Sequence, residues 1–204
     1  LSVNPAYLQY WNPSHWLDRA EMPSLWYSWP DDGDLHFTLE AQAKSYFKAR
    51  GERMVSLVPG MGHSHGAAWI RDESYAFAQS VVNQGRPWAK ELEQGHDHSN
   101  AWAGMQSDRS FLSAKFVYSP DSEHPQYSED GPRRTWITLD ANLIDLGEGE
   151  FQAQVDLPAD AQAWFFNFIT ADDLVVSSEY YWSDIPQEEE QVDSLRYSLV
   201  SGSG

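Results

Sequence analysis

The hydrophobic period of this chain changes partway along it, and that change limits the folds open to it. Before about residue 90, short apolar runs alternate with stretches of helical spacing; beyond it, apolar residues recur in steps of two, with no helical period until the tail. Ser24-Leu25-Trp26-Tyr27-Ser28-Trp29, bounded by Pro23 and Pro30-Asp31-Asp32-Gly33, reads as a buried strand ending in a turn. From Thr38 a helix is expected, because Leu39, Ala43, Tyr46 and Phe47 share one face and Gly51 stands where a left-handed cap would be needed. Met54-Val55-Ser56-Leu57-Val58 is the next strand, and Asp72 caps a helix reaching Val82 with Gly85 beyond it. A parallel βαβ unit takes about 30 residues or more. Residues 24 to 58 supply 35, so the two strands are expected to be parallel neighbours.

Downstream, Gln94-Gly95-His96-Asp97-His98-Ser99-Asn100 reads as a polar connector. Phe151, Ala153, Val155 and Leu157 alternate with polar residues, a half-exposed strand, while Trp164-Phe165-Phe166-Asn167-Phe168-Ile169 is apolar on both faces and reads as central. Strands near 111–118, 133–139 and 174–181 would complete a small sandwich. Charge follows the same division. Residues 1–104 carry 12 acids against 8 bases and residues 105–204 carry 19 against 5, within a formal charge of −18. The resulting expectation is an α/β part over 1–92, a linker over 93–110, an antiparallel β-sandwich-like module over 111–182, and an acidic, Gly/Ser-ending tail over 183–204.

So acidic a chain lacks the clustered cations that a phosphate backbone requires, which speaks against nucleic acid as a partner. Its apolar runs fall short of the roughly 20 residues that cross a bilayer. The expectation is a chain without a membrane span, with any signal peptide missing or removed. It has no cysteine, hence no disulfide, thiol nucleophile or thiolate metal site.

Asp34 follows the first strand and His63 the second. A carboxylate that orients an imidazole, and an imidazole that takes a proton from a nucleophile, are two thirds of a hydrolytic triad. Around them, Asp34-Leu35-His36-Phe37-Thr38-Leu39-Glu40-Ala41-Gln42-Ala43-Lys44-Ser45-Tyr46, Met61-Gly62-His63-Ser64-His65 and Glu73-Ser74-Tyr75-Ala76-Phe77-Ala78 resemble the C-terminal half of acetyl-xylan-esterase-like and dienelactone-hydrolase-like α/β-hydrolases. Arg134-Thr135-Trp136, Leu157-Pro158, Phe165-Phe166-Asn167-Phe168 and Val176-Ser177-Ser178-Glu179 are similar to the β-domain that often trails them.

The resemblance implies part of a parallel α/β-hydrolase sheet followed by that β-module, with Asp34 as acid (Asp31 or Asp32 being alternatives) and His63 as catalytic base. It also implies a serine nucleophile on a missing or partner N-terminal half. The substrate would be a small ester or acetylated carbohydrate, no cofactor would be needed, and the setting would be secreted or periplasmic. The competing expectation is a non-catalytic binding or assembly protein on the same scaffold.

Gly62-His63-Ser64-His65-Gly66 matches a G-x-S-x-G elbow in letters, but Pro59-Gly60 interrupts the strand that should feed it, so Ser64 is read as no nucleophile. His63-x-His65 and His96-Asp97-His98 could supply imidazoles to a metal, but neither has a clear third ligand, and no metal is expected. Trp29, His65 and Trp69 flank the proposed catalytic loops and are candidates for lining a substrate cleft. Trp136 and Trp164 lie among apolar neighbours and are expected to bury.

Overall fold

The computed structural model describes residue 10 and residues 12–28, 38–58, 61, 66, 69–121 and 134–183. Two 3-10 turns, Pro13–His15 and Leu17–Arg19, lead in, the first capped by the Asn12 side chain, which accepts from Ser14 N. Strands β1 (Ser24–Ser28) and β2 (Arg53–Leu57) are joined through helix α1 (Leu39–Lys48) and pair in parallel, as their spacing leads one to expect. Thr38 caps α1, its hydroxyl accepting from Ala41 N. Helix α2 (Asp72–Gln84) ends at Gly85, whose φ of 78° is the left-handed cap. Gly51 plays another part. Ala49 ends α1 in extended conformation, and a Cβ on Gly51 would lie 2.1 Å from the Met22 carbonyl, so glycine is needed there for the lead-in to cross.

The remaining strands are β3 (Ala89–His96), β4 (Asn100–Ser107), β5 (Phe111–Ser119), β6 (Ile137–Gly147), β7 (Glu150–Asp156), β8 (Ala163–Thr170), β9 (Val175–Ser177) and β10 (Tyr181–Trp182). They belong to one sheet in the order β1-β2-β9-β8-β5-β6-β7-β4-β3, with β10 beside β8. Every pairing after β1–β2 is antiparallel among the described residues. Residues 89–107 form the hairpin β3–β4, so Gln94 to Asn100 are strand ends and turn; Asp97 accepts from Ser99 N and Asn100 N, which holds its carboxyl below the usual range.

The sheet curls through 250° into a half-barrel. Its inner core draws on both ends of the curl: Met54 of β2, Trp88 and Ala89 at the start of β3, Ala101, Ala103 and Met105 of β4, and Trp164, Phe166 and Phe168 of β8. The outer core lies under α1, where Leu39, Ala43 and Tyr46 meet Val55, Leu57, Val117, Ala163 and Phe165. β8 is therefore buried on both faces, and each of its phenylalanines contributes about 1.5–3 kcal/mol of burial. Ala76 and Phe77 of α2 pack on the inner core. Glu73, at the start of α2, is buried; it takes two bonds from Arg71 and one from Val175 N, tying the helix to β9.

This architecture overturns the α/β-hydrolase expectation. That fold needs a broad, mostly parallel sheet with helices on both faces, whereas parallel pairing here stops after two strands and a curled antiparallel sheet carries the rest. One crossover looks the same in sequence whichever sheet it joins. With the hydrolase sheet go the esterase reading, the partner half carrying a nucleophile, and the alternative of a binding protein built on that scaffold.

Candidate functional site

Of the residues singled out in the sequence, Trp29, Asp31, Asp32, Asp34, His63, Ser64 and His65 lie outside the described residues. Trp69 is described, 70% exposed, and its carbonyl accepts from the Tyr75 hydroxyl at 3.1 Å. Among the described residues no three His, Asp or Glu side chains gather as a metal site, and no triad is evident. The His96 ring instead meets the Tyr181 hydroxyl at 3.0 Å and the edge of Trp164, itself buried and stacked on Tyr181.

Three places hold polar or exposed groups that folding alone does not account for. The first is the outer edge of β1. Ser24 N donates to Glu52 O, and Ser28 O accepts from Val58 N, so the even-numbered residues of β1 turn their peptide groups toward β2. Along a strand the groups of successive residues point to opposite sides, and those of Leu25 therefore point away from β2. Among the described residues no strand lies there. Each face of this edge carries an apolar side chain: Leu25 reaches the inner core, Trp26, between Ser24 and Ser28, the outer, and all five residues are half-buried. Tyr27 lies near Glu73, Arg71 and Tyr75; burial and then Glu73 raise its hydroxyl pKa. Tyr75, Ala78 and Val82 form an exposed stripe along α2, continued by exposed Trp69 and Ile70.

The second place is the seam where the curl brings β3 back toward β2 and β9. Glu179, just past β9, donates its N–H to Glu91 of β3 at 2.6 Å and receives Arg53 of β2 on its carboxylate. Arg53 also lies over the rings of Phe47 and Tyr46, at 5.2 and 5.8 Å. Burial, and then the Glu179 charge, push the Glu91 carboxyl well above the usual range. A small cavity of about 10 Å³, room for about one water, opens here, lined in part by Met54, Ala89 and Ser177.

The third is a buried trio on the outer face. Glu40 of α1 accepts from Arg134 at 2.7 Å and from the Tyr180 hydroxyl at 2.6 Å, and Arg134 also bonds that hydroxyl. Burial and the Glu40 charge raise the Tyr180 pKa. Arg134 Nε and Trp136 Nε1 are buried without acceptors. The trio clamps α1 to the sheet and offers no opening for a substrate.

Sequence reasoning missed Glu91, Glu179 and Arg53 because they are far apart in the chain, and isolated charges in strands give no local signal. The aromatic run of β1 reads in sequence as a buried strand; that β1 ends the described strand order was not legible. Compared with family models, with curated proteins and with solved structures, the chain finds no match.

Proposed function

We infer that this protein is a binding module, and that the side of β1 turned away from β2, where no described strand lies, takes an extended segment of a basic polypeptide by strand addition at Leu25. The observation that carries this reading is the outward-facing peptide group of Leu25, on an edge strand without a charged side chain. Proteins ordinarily blunt such edges with charge, proline or a bulge. β3, at the other end of the sheet, has Lys90, Glu91 and Glu93 and a bulge between Glu91 and Glu93. β1 has none of these within its length. An added strand gains affinity from main-chain hydrogen bonds and specificity from alternate side chains, and the exposed Tyr75 of α2 lies near Tyr27 of this strand.

Charge selects the occupant. Between residues 18 and 34 the sequence has five acids and one base, within a net charge of −18. A second copy would carry the same net charge, whereas an extended segment rich in Lys or Arg would carry the opposite one. The test is an amide-resolved NMR titration of the ¹⁵N-labelled chain with a synthetic peptide of alternating valine and lysine. The same peptide with glutamate for lysine, and one N-methylated along one edge, serve as controls. The basic peptide is expected to shift the Leu25 amide and slow its exchange, the acidic and N-methylated peptides are not, and Leu25→Pro should abolish the response. Equal response to the acidic peptide, no response to any, or self-association through β1 in sedimentation would overturn the reading.

A further inference from the structure

The outer face of the β6–β7–β4–β3 half of the sheet supports an inference independent of the β1 reading. Residues directly opposite one another in antiparallel strands share a face. The register sets Gly95, Trp102, Gln154 and Asn142 in one row, with Glu93, Gly104, Gln152 and Ile144 in the next. Ala103, Ala153 and Leu143, which alternate with these, go to the inner core, so both rows face outward. Trp102 and Ile144 are half-buried and belong to neither core. Gly95 makes room for the indole: a Cβ there would lie 2.8 Å from Cζ2, 3.1 Å from Cε2 and 3.4 Å from Nε1 of Trp102, so only glycine lets that side of the ring settle on β3. The indole N–H has no hydrogen-bond partner among the described residues, yet it is not one of the buried unpaired groups, so it opens to solvent. Gln154 donates to Asn100 at 3.4 Å, a long bond that leaves most of its amide free. Charge is held to the margins, with Lys90 and Glu150 beyond one end of the rows, Asp156 beyond the other and Glu93 on β3. Farther along the same outer face, Lys115 of β5 pairs with Asp140 of β6.

We propose that this uncharged patch binds a neutral glycan, with Trp102 against one sugar ring and the amides of Gln154, Gln152 and Asn142 on its hydroxyls. A pyranose has an apolar C–H face and a rim of hydroxyls that both donate and accept. An indole matches the first, and carboxamides, which carry a donor and an acceptor on one group, match the second. An anion would call for Lys or Arg at the centre and a metal cation for carboxylates, and the centre has neither. A protein partner would need a broader apolar core, because a stable interface buries about 800 Å² on each side. Here Trp102 and Ile144 are the large apolar side chains of the two rows.

The test titrates the ¹⁵N-labelled full chain with cellohexaose and with mannohexaose, and follows the Trp102 indole N–H and the side-chain amides of the two rows by NMR. Hexagalacturonate, an anionic chain of equal length, is the control. At least one neutral probe is expected to give a saturable shift centred on Trp102 and its row, with the Leu25 amide unmoved, and hexagalacturonate is expected to give none. Trp102→Ala, read on the remaining amides, should weaken binding by about tenfold or more. Asn142→Ala, at an exposed position, should weaken it by about two- to tenfold. Gly95→Ala, which pushes the indole off β3, should weaken it as well. No shift with either neutral probe, an equal shift with hexagalacturonate, or full affinity in Trp102→Ala would overturn the proposal. So would a shift of the Trp102 signal by the valine–lysine peptide and by neither sugar, which would give the face to a polypeptide. Should Trp102→Ala fail to fold, Asn142→Ala decides, because its side chain stands in solvent, and unchanged affinity there would overturn the site.

Discussion

If the parallel ribbon β1–β2 and the antiparallel strands form one sheet, the junction between them should govern the stability of both. β9 is only three residues long and matches β2 at a single position, Val55 opposite Ser177. Side chains supply the rest of the junction. Asn167 of β8 donates to Leu57 O at 3.0 Å and accepts from the Ser177 hydroxyl at 2.6 Å, that hydroxyl accepts from Leu57 N at 2.7 Å, and Ser56 donates to Val175 O at 2.7 Å. Asn167 is 2% exposed, so no water stands ready to replace it. Asn167→Leu keeps the branching of the side chain, though it is bulkier, and leaves the Leu57 carbonyl and the Ser177 proton without partners. Each buried group so abandoned costs about 1–3 kcal/mol, or about 2–6 kcal/mol together. Against a typical total of about 5–15 kcal/mol that is a large loss, and for a chain of this length it lowers Tm by roughly 5–20 °C. Urea unfolding followed both by far-ultraviolet dichroism and by tryptophan fluorescence would measure it. The two probes should give one coincident transition that moves as a whole, and a cycle with Ser177→Ala should show coupling of about 0.5–3 kcal/mol. A loss below about 1 kcal/mol, or two transitions of which only one moves, would refute the reasoning that the junction makes one cooperative sheet.

Other positions test other parts of the structure. Gly51→Ala places a methyl group 2.1 Å from the Met22 carbonyl, and it should displace the lead-in and cost about 1–3 kcal/mol, read as a fall in Tm. Glu40→Gln leaves the Arg134 guanidinium, 9% exposed, without its counter-charge; breaking a buried pair in this way costs about 3–5 kcal/mol, measurable in urea. Glu91→Gln should match the wild-type chain in stability near the ordinary carboxylate pKa of about 4.3 and gain on it as pH rises, because only the wild-type chain loses a proton held more tightly in the folded state. A wild-type chain that gained on the variant with rising pH would reverse that sign.

Much of the local structure was legible in the residues themselves. Helical spacing marked α1, Asp72 and Gly85 bracketed α2, the 35-residue interval implied a parallel crossover, and the run from Trp164 to Ile169 announced a strand buried on both faces. These are properties of windows of ten to thirty residues, where side-chain period and backbone preference act without reference to the rest of the chain. β3 and β4 escaped because their residues carry little of that signal. β3 is mostly polar, and β4 is built from Ala101, Ala103 and Gly104 around one Trp and one Met, small residues that suit the inside of a tight curl and have weak strand preference. The residues of interest escaped for a related reason. Glu91 meets Glu179 across 88 positions and Arg134 meets Glu40 across 94, separations at which no motif spacing operates. Whether β9 would pair with β2, how far the sheet would curl, and which peptide groups of β1 would face outward depend on long-range pairing and on the packing of one shared core. Those energies exist only once the distant strands have met, which is why tertiary structure alone decided them.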